Sequence, residues 1–273
     1  MQSATLTQAF QTALGVLITN DCVADDVIAG HTGVERIHPA LTLTDIEALR
    51  TLLKNDGWRV QAISRLATRR RKGRILDLLP ASTRLLREEI REHWRTYLTA
   101  DVACGARPSC DDAAAFATHL LARIENSLAI PYLRFERSCN AIAGQIESKA
   151  MDGEQFRDAP FERVRVSRLV CIESFDFPID QAMKDFRIRG TLRTDWPTEP
   201  THLVFHVFCV QPRMVIATRL PAALAEALRN SRSDGLEVRE LTDAASSELR
   251  PGIQKMIAQL VAARVLESVG QAA

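Results

Sequence analysis

Two histidines and a cysteine stand inside one apolar run, THLVFHVFCVQPRMVIATRLP over residues 201 to 221, and histidine with cysteine is a donor set that holds zinc or iron. Whether they can share an ion depends on the backbone that carries them. Val204, Phe205, Val207, Phe208, Val210, Val215 and Ile216 are strand formers, and Gln211-Pro212 sits between two runs where a hairpin turn belongs. In a strand His202 and His206 face the same side but lie roughly 13 Å apart at ~3.3 Å per residue, too far to hold one ion, and Cys209 faces the other side. The run reads as two antiparallel strands and assigns no metal ligand.

The other chemistry-bearing constellations are equally sparse. EEIREHW offers Glu89 and His93 on one helix face, but a di-iron bundle needs such pairs from two helices, and no second one exists. There is no HExxH, no phosphate-cradling GxxxxGK[ST] or GxGxxG loop, and no GxSxG elbow. The six histidines (His31, His38, His93, His119, His202, His206) show no local pattern with a serine or cysteine nucleophile. No residue is assigned a catalytic role. The six cysteines contain no CxxC pair, which points to reduced thiols, and only Cys104 and Cys110, around ACGARPSC, are close.

The strongest charge cluster is Arg69, Arg70, Arg71, Lys72 and Arg74. Three readings stand side by side: a grip on phosphates, a solvated helix end complementing the negative pole, and a docking patch for an acidic partner. Net charge is only +1, from 35 basic and 34 acidic residues, so no global field draws the chain to nucleic acid or an anionic membrane. No apolar run approaches the ~20 residues of a membrane span, and the N-terminus lacks a basic region ahead of its apolar stretch, so a cytoplasmic protein is expected. With 46% apolar and 25% charged residues, 273 residues suffice for a large core or two domains.

The elements that position these groups change character along the chain. Leu6, Phe10, Leu14 and Leu17 mark a helix over 5–19. Thr44 and Glu47 form a capping box for a helix over 44–54, with a separate helix over 57–74. After Pro80, Leu85, Leu86, Ile90, Trp94 and Leu98 form one stripe, and CDDAAAFATHLLARIEN and PYLRFERSCNAIAGQIES follow as helices. RVRVSRLVCIESFDF is extended, PIDQAMKDFRIRG is a helix with Pro178 in its first turn and Gly190 past its end, and AALAEALRN is a helix after Pro221. LEVRE is extended, and a last helix runs through IQKMIAQLVAARVLES. The expected fold is α+β: an N-terminal helical segment 1–78, a helical bundle 79–155, and a small domain 156–273 with an antiparallel sheet and helices.

In LLPASTRLLREEIREHWRTYL, AAAFATHLLARIENSLAIPYLRFERSCNAI, RVSRLVCIESFDF and HLVFHVFCVQPRMVIATRLPAALAEAL the chain resembles the partner subunits of multinuclear non-heme iron-dependent oxidases. Those pairs modify cysteines of ribosomally made precursor peptides. The resemblance, over roughly 78–268, is to the TglI type of 3-thiaglutamate-type pathways, with the MbnC type of methanobactin (oxazolone/thioamide) biosynthesis as an alternative. It implies that this chain holds no cofactor, that iron and oxygen chemistry belong to a barrel-shaped partner subunit, and that this subunit holds the precursor's leader peptide. The hairpin then acquires a task, since an exposed strand edge can pair with an extended peptide. The peptide contacts expected are Val204, His206, Val215 and Ala217, with Arg69, Arg70 and Arg71 docking the partner subunit. The rival from another class is a winged-helix-like DNA-binding regulator, against which stands the apolar surface of IQKMIAQLVAAR.

Overall fold

A computed structural model of the chain describes residues 7–100, 108–148, 163–167, 170–193, 195–207, 215–230, 236–243, 250–263 and 265–268. The chain forms two compact units, residues 1–125 and 126–273, and is α+β, with helices first and two small antiparallel sheets in the C-terminal part. The expected boundaries lay at 78/79 and 155/156; the one division observed falls after Glu125.

The first unit is helical: α1 (Gln8–Thr19), α2 (Asp21–Ile28), a 3-10 turn (Val34–Arg36), α3 (Leu43–Asp77), α4 (Pro80–Leu85), α5 (Arg87–Ala100) and α6 (Ser109–Leu121). Phe10, Ala13, Val16 and Leu17 of α1 recur at three and four residues and bury that face with Val23, Ala24 and Val27 of α2 and Leu49 and Val60 of α3. Asn20 links the first two helices. Its side chain accepts from Val23 N at the start of α2 and donates to the Leu98 carbonyl of α5 at 2.7 Å.

Helix α3 differs from the sequence expectation twice. Its capping box is Thr42 with Asp45, not Thr44 with Glu47, which lie exposed within the first turns. Asp45 also serves α1: its carboxylate accepts from Thr7 N and Thr7 Oγ1 as well as from Thr42 N and Thr42 Oγ1, so one buried side chain closes two helix starts. The expected helices over 44–54 and 57–74 are moreover one 35-residue helix. Asp56, at φ −126° and ψ 19°, kinks the helix without ending it. The stripe after Pro80 is divided at Leu86, whose φ of −116° and ψ of 35° separate α4 from α5.

The second unit contains α7 (Ala129–Ser148), β1 (Arg163–Val166), β2 (Cys171–Phe175), α8 (Ile179–Arg189), β3 (Thr201–Val207), β4 (Val215–Leu220), α9 (Ala222–Arg229), β5 (Leu236–Glu237), α10 (Val238–Asp243), α11 (Arg250–Ala262) and β6 (Leu266–Ser268). One sheet has the order β5-β1-β6, the other β2-β3-β4, and every pairing is antiparallel. The extended run 163–177 is thus split between two sheets. The last helix stops at Ala262, where the Val265 amide turns back to the Leu260 carbonyl, and Leu266 pairs with Val166 as strand, not helix.

Strand β3 alternates in the way that period two demands. Phe205, on the same side as Leu203, meets Phe135 of α7 with ring centroids 5.1 Å apart. Val204, on the opposite side, joins Leu220, Leu224, Leu228, Ile253, Ile257 and Leu260 in the unit's main core. Ile253, Ile257, Leu260 and Val261 of α11 lie in that core, and Gln254, Lys255 and Gln259 of the same helix are exposed.

Candidate functional site

The sheet order β2-β3-β4 decides which part of the hairpin a visitor can reach. Strand β3 is paired on both sides, by β2 from Cys171↔Phe205 to Phe175↔Thr201 and by β4 from His202↔Leu220 to Val207↔Val215. Two of the four expected peptide contacts are therefore in the sheet's interior: Val204 (0% exposed) is flanked by a strand on both sides, and His206 (5%), one residue past the β2 ladder, pairs with Ile216 of β4. Val215 and Ala217 lie on β4, half-buried, and among the described residues the outer side of β4 pairs with no strand. The turn at Gln211-Pro212, and Cys209, lie outside the described residues.

Along the six residues of β4 there is no proline and no bulge in the register with β3, and the one charge, Arg219, is tied to Asp180 of α8 by two bonds of 2.8 Å. Strand edges are ordinarily blunted by proline, bulges or free lysines, because open amides and carbonyls recruit other chains. This edge lacks those devices. Val215 and Ala217 register with Val207 and Phe205 on the α7 side, whereas Ile216 and Thr218 register with His206 and Val204 on the other. Thr218 is fixed by His206, whose Nε2 lies 3.0 Å from Thr218 Oγ1. Burial, partly offset by the backbone bond to Val207, pushes the His206 imidazole below its usual range, which favours its neutral form.

A second polar group joins β2 to β3. Ser174 Oγ lies 2.5 Å from His202 Nδ1, and Arg229 of α9 approaches both, with Nη2 bonded to Ser174 and 3.2 Å from His202 Nδ1. A serine beside an imidazole suggests a nucleophile and its base. In a triad, however, a carboxylate holds the imidazole in place, whereas here the group beside His202 Nδ1 is the Arg229 guanidinium. The arrangement is a cross-strand clasp.

On the α7 side of the sheet, Glu173 of β2 accepts from Arg134, from Arg137 at 2.6 Å and from Ser138 at 3.3 Å. Cys171 Sγ sits 3.7 Å from Ser138 Oγ. Burial raises the Cys171 thiol, and pushes Cys139 up to about 12, so the thiol form is favoured at both and neither is a ready nucleophile. Among the described residues no three His, Cys, Asp or Glu side chains come together as an ion-binding group. His93 instead stands edge-on to His119, with centroids 6.4 Å apart, and His119 Nε2 lies 3.1 Å from Thr96 Oγ1.

The arginine cluster separates into two kinds of residue. Arg71 is internal: its Nε and Nη2 reach Asp112 of α6 at 2.6 Å each, Asp112 also accepts from Tyr97 at 2.5 Å, and the guanidinium lies 5.5 Å from the Tyr97 ring. Lys72 rests over Trp94 at 5.4 Å. Arg69, Arg70 and Arg74 are exposed. The sequence reading missed that three large apolar side chains past the Asp56 kink of the same helix, Trp58, Ile63 and Leu66, are also exposed. The signal was present as a second apolar stripe, out of phase with the buried Val60, Ser64, Thr68 and Ile75. Compared with known proteins, the chain matches no protein-family model and no curated protein.

Proposed function

We propose that this chain is the non-catalytic subunit of a heterodimeric iron-dependent peptide-modifying oxidase, of the TglI type or alternatively the MbnC type, that binds the leader of a precursor peptide and presents its cysteine to the partner's iron site. The observation that supports this reading is the outer side of β4, six residues long, without proline or bulge, and paired with no strand among the described residues. An extended leader laid antiparallel or parallel on Val215–Leu220 gains main-chain hydrogen bonds for affinity, and the half-buried Val215, Ile216, Ala217 and Thr218 supply alternating contacts for selection. In this reading the iron and oxygen chemistry belong to the partner subunit. What this chain contributes is tethering, which raises the effective concentration of the cysteine at the partner's site to about the millimolar range for a short linker.

Co-expression with a neighbouring iron-oxidase gene and a small cysteine-containing precursor tests the reading. A mass change of the precursor that requires both proteins is expected; modification by this chain alone, or by the partner at an undiminished rate without it, refutes the proposal. The edge itself is tested with proline. Adjacent residues of a strand aim their amides to opposite sides, so of Ile216→Pro and Ala217→Pro one breaks the ladder to β3 and the other removes an outward N–H while leaving the His206–Thr218 bond in place. The latter variant is expected to keep the fold and to bind labelled precursor about tenfold or more weakly by fluorescence anisotropy.

A further inference from the structure

From residue 57 to 77 the chain carries seven cations against the single carboxylate of Asp77, although the whole protein is nearly neutral. Some of that charge is spent internally. Arg59 pairs with Asp56 at 2.8 Å, Arg65 with Asp25 at 3.5 Å and Arg71 with Asp112, while Lys72 lies on Trp94. Arg69, Arg70 and Arg74 make no ion pair with any described residue and are exposed. On the same helix, and on the side away from the core, Trp58 is 67% exposed, Ile63 51% and Leu66 50%. Trp58, Ala62, Leu66 and Arg70 follow one another at four residues, which makes a single ridge in which the small Ala62 leaves a hollow between two large side chains.

We infer that this outer face of α3 docks an acidic amphipathic helix of a partner protein, with apolar side chains packed over Trp58, Ile63 and Leu66 and carboxylates paired with Arg69, Arg70 and Arg74. The inference deepens the reading of the chain as a partner subunit by giving the chemistry of what it docks. Tryptophan and arginine are the side chains that anchor interfaces, and free cations at one end of an apolar ridge select a ligand with negative charge at the matching end. From Trp58 to Arg74 the ridge is about 24 Å long at ~1.5 Å per residue, four to five turns of a helix. Carboxylates are best placed in the first turn of a helix, so the docked helix starts over Arg69–Arg74 and runs antiparallel to α3. A polyanion is the poorer occupant. Arg59, Arg65 and Arg71 are already paired with Asp56, Asp25 and Asp112, and the ridge between Trp58 and Leu66 offers exposed apolar surface rather than cations to a phosphate backbone.

The test uses the full chain and a synthetic 18-residue helical peptide carrying leucine at every third or fourth position and glutamate in its first two turns. Saturable binding is expected by anisotropy, with a blue shift of tryptophan emission that Trp58→Ala abolishes. The double variants Trp58→Ala with Leu66→Ala, and Arg69→Glu with Arg70→Glu, are each expected to weaken binding about tenfold or more with unchanged circular dichroism melts. A matching peptide with lysine in place of glutamate should fail on the native chain and bind the Arg69→Glu, Arg70→Glu variant, a rescue that no general loss of structure produces. Failure of the acidic peptide to bind, indifference to these substitutions, or tighter binding of a single-stranded RNA or of phosphatidylglycerol vesicles overturns the inference. Precursor binding at β4 is measured separately on the same variants and is expected to be unchanged, so either claim can fail alone.

Discussion

Asp45 shows how much one carboxylate can organise. Its burial raises its pKa, but the bonds from Thr42 and Thr7 outweigh that and hold it at about 2, below its usual 3.8. Because the folded value is the lower one, the contribution of Asp45 to stability is complete above about pH 4 and is lost as pH falls toward 2. An acid titration followed by circular dichroism is therefore expected to show a step in that window, absent in Asp45→Asn, and Thr42→Ala should cost about 1 kcal/mol in a denaturant melt at neutral pH. The Arg71–Asp112 pair makes the second prediction at this scale. With side chains 18% and 6% exposed, removing the guanidinium strands a buried carboxylate, so Arg71→Ala should cost about 3 kcal/mol or more. Arg71→Lys should recover only part of it, because an ammonium cannot reproduce the two parallel bonds. Arg69→Ala, by contrast, should leave the melt unchanged.

Among the elements, α3 and α8 put the same substitution to opposite use. Gly73 lies in the exposed second half of α3 with open space where a Cβ would go, so Gly73→Ala is expected to add about 0.5–1 kcal/mol by removing freedom from the unfolded chain. Gly190 closes α8 at φ +66°, its amide bonded to the Phe186 carbonyl, and Gly190→Ala should cost about 1 kcal/mol although it too meets no neighbour. Paired thermal melts decide both. The helix stop at Gly190 was legible from sequence, because glycine at that position follows from backbone sterics alone. The join of 44–54 to 57–74 was not legible: Asp56 and Gly57 look like an interruption, and the helix continues because its two halves bury Leu49 and Val60 in one core.

For the whole molecule, the division after Glu125 carries a prediction of its own. The core around Phe10, Leu17 and Leu49 draws only on residues of the first unit, and the core around Val204, Leu224 and Ile257 only on residues of the second. Residues 1–125 expressed alone are thus expected to keep a helical spectrum and a cooperative thermal transition, which differential scanning calorimetry checks; a non-cooperative melt would show that its core needs the other half. The same division places the two candidate surfaces on different units, the docking face on α3 in the first and the peptide edge on β4 in the second. No described helix is long and apolar enough to cross a membrane.

Periodicity and local stereochemistry sufficed to give most helices, the α+β order, the strands on either side of residues 208–214, and the separation of His202 from His206, because each of these depends on neighbours a few residues apart. They did not give the strand order, and that order moves Val204 and His206 into the sheet's interior while leaving Val215 and Ala217 at its margin. Nor did they distinguish Arg71 from Arg69 and Arg70, whose identical chemistry diverges only because Asp112, 41 residues away, meets one of the three. Which face of a helix is covered, and which side of a strand is taken, are set by partners distant in the chain; those choices belong to the tertiary structure alone.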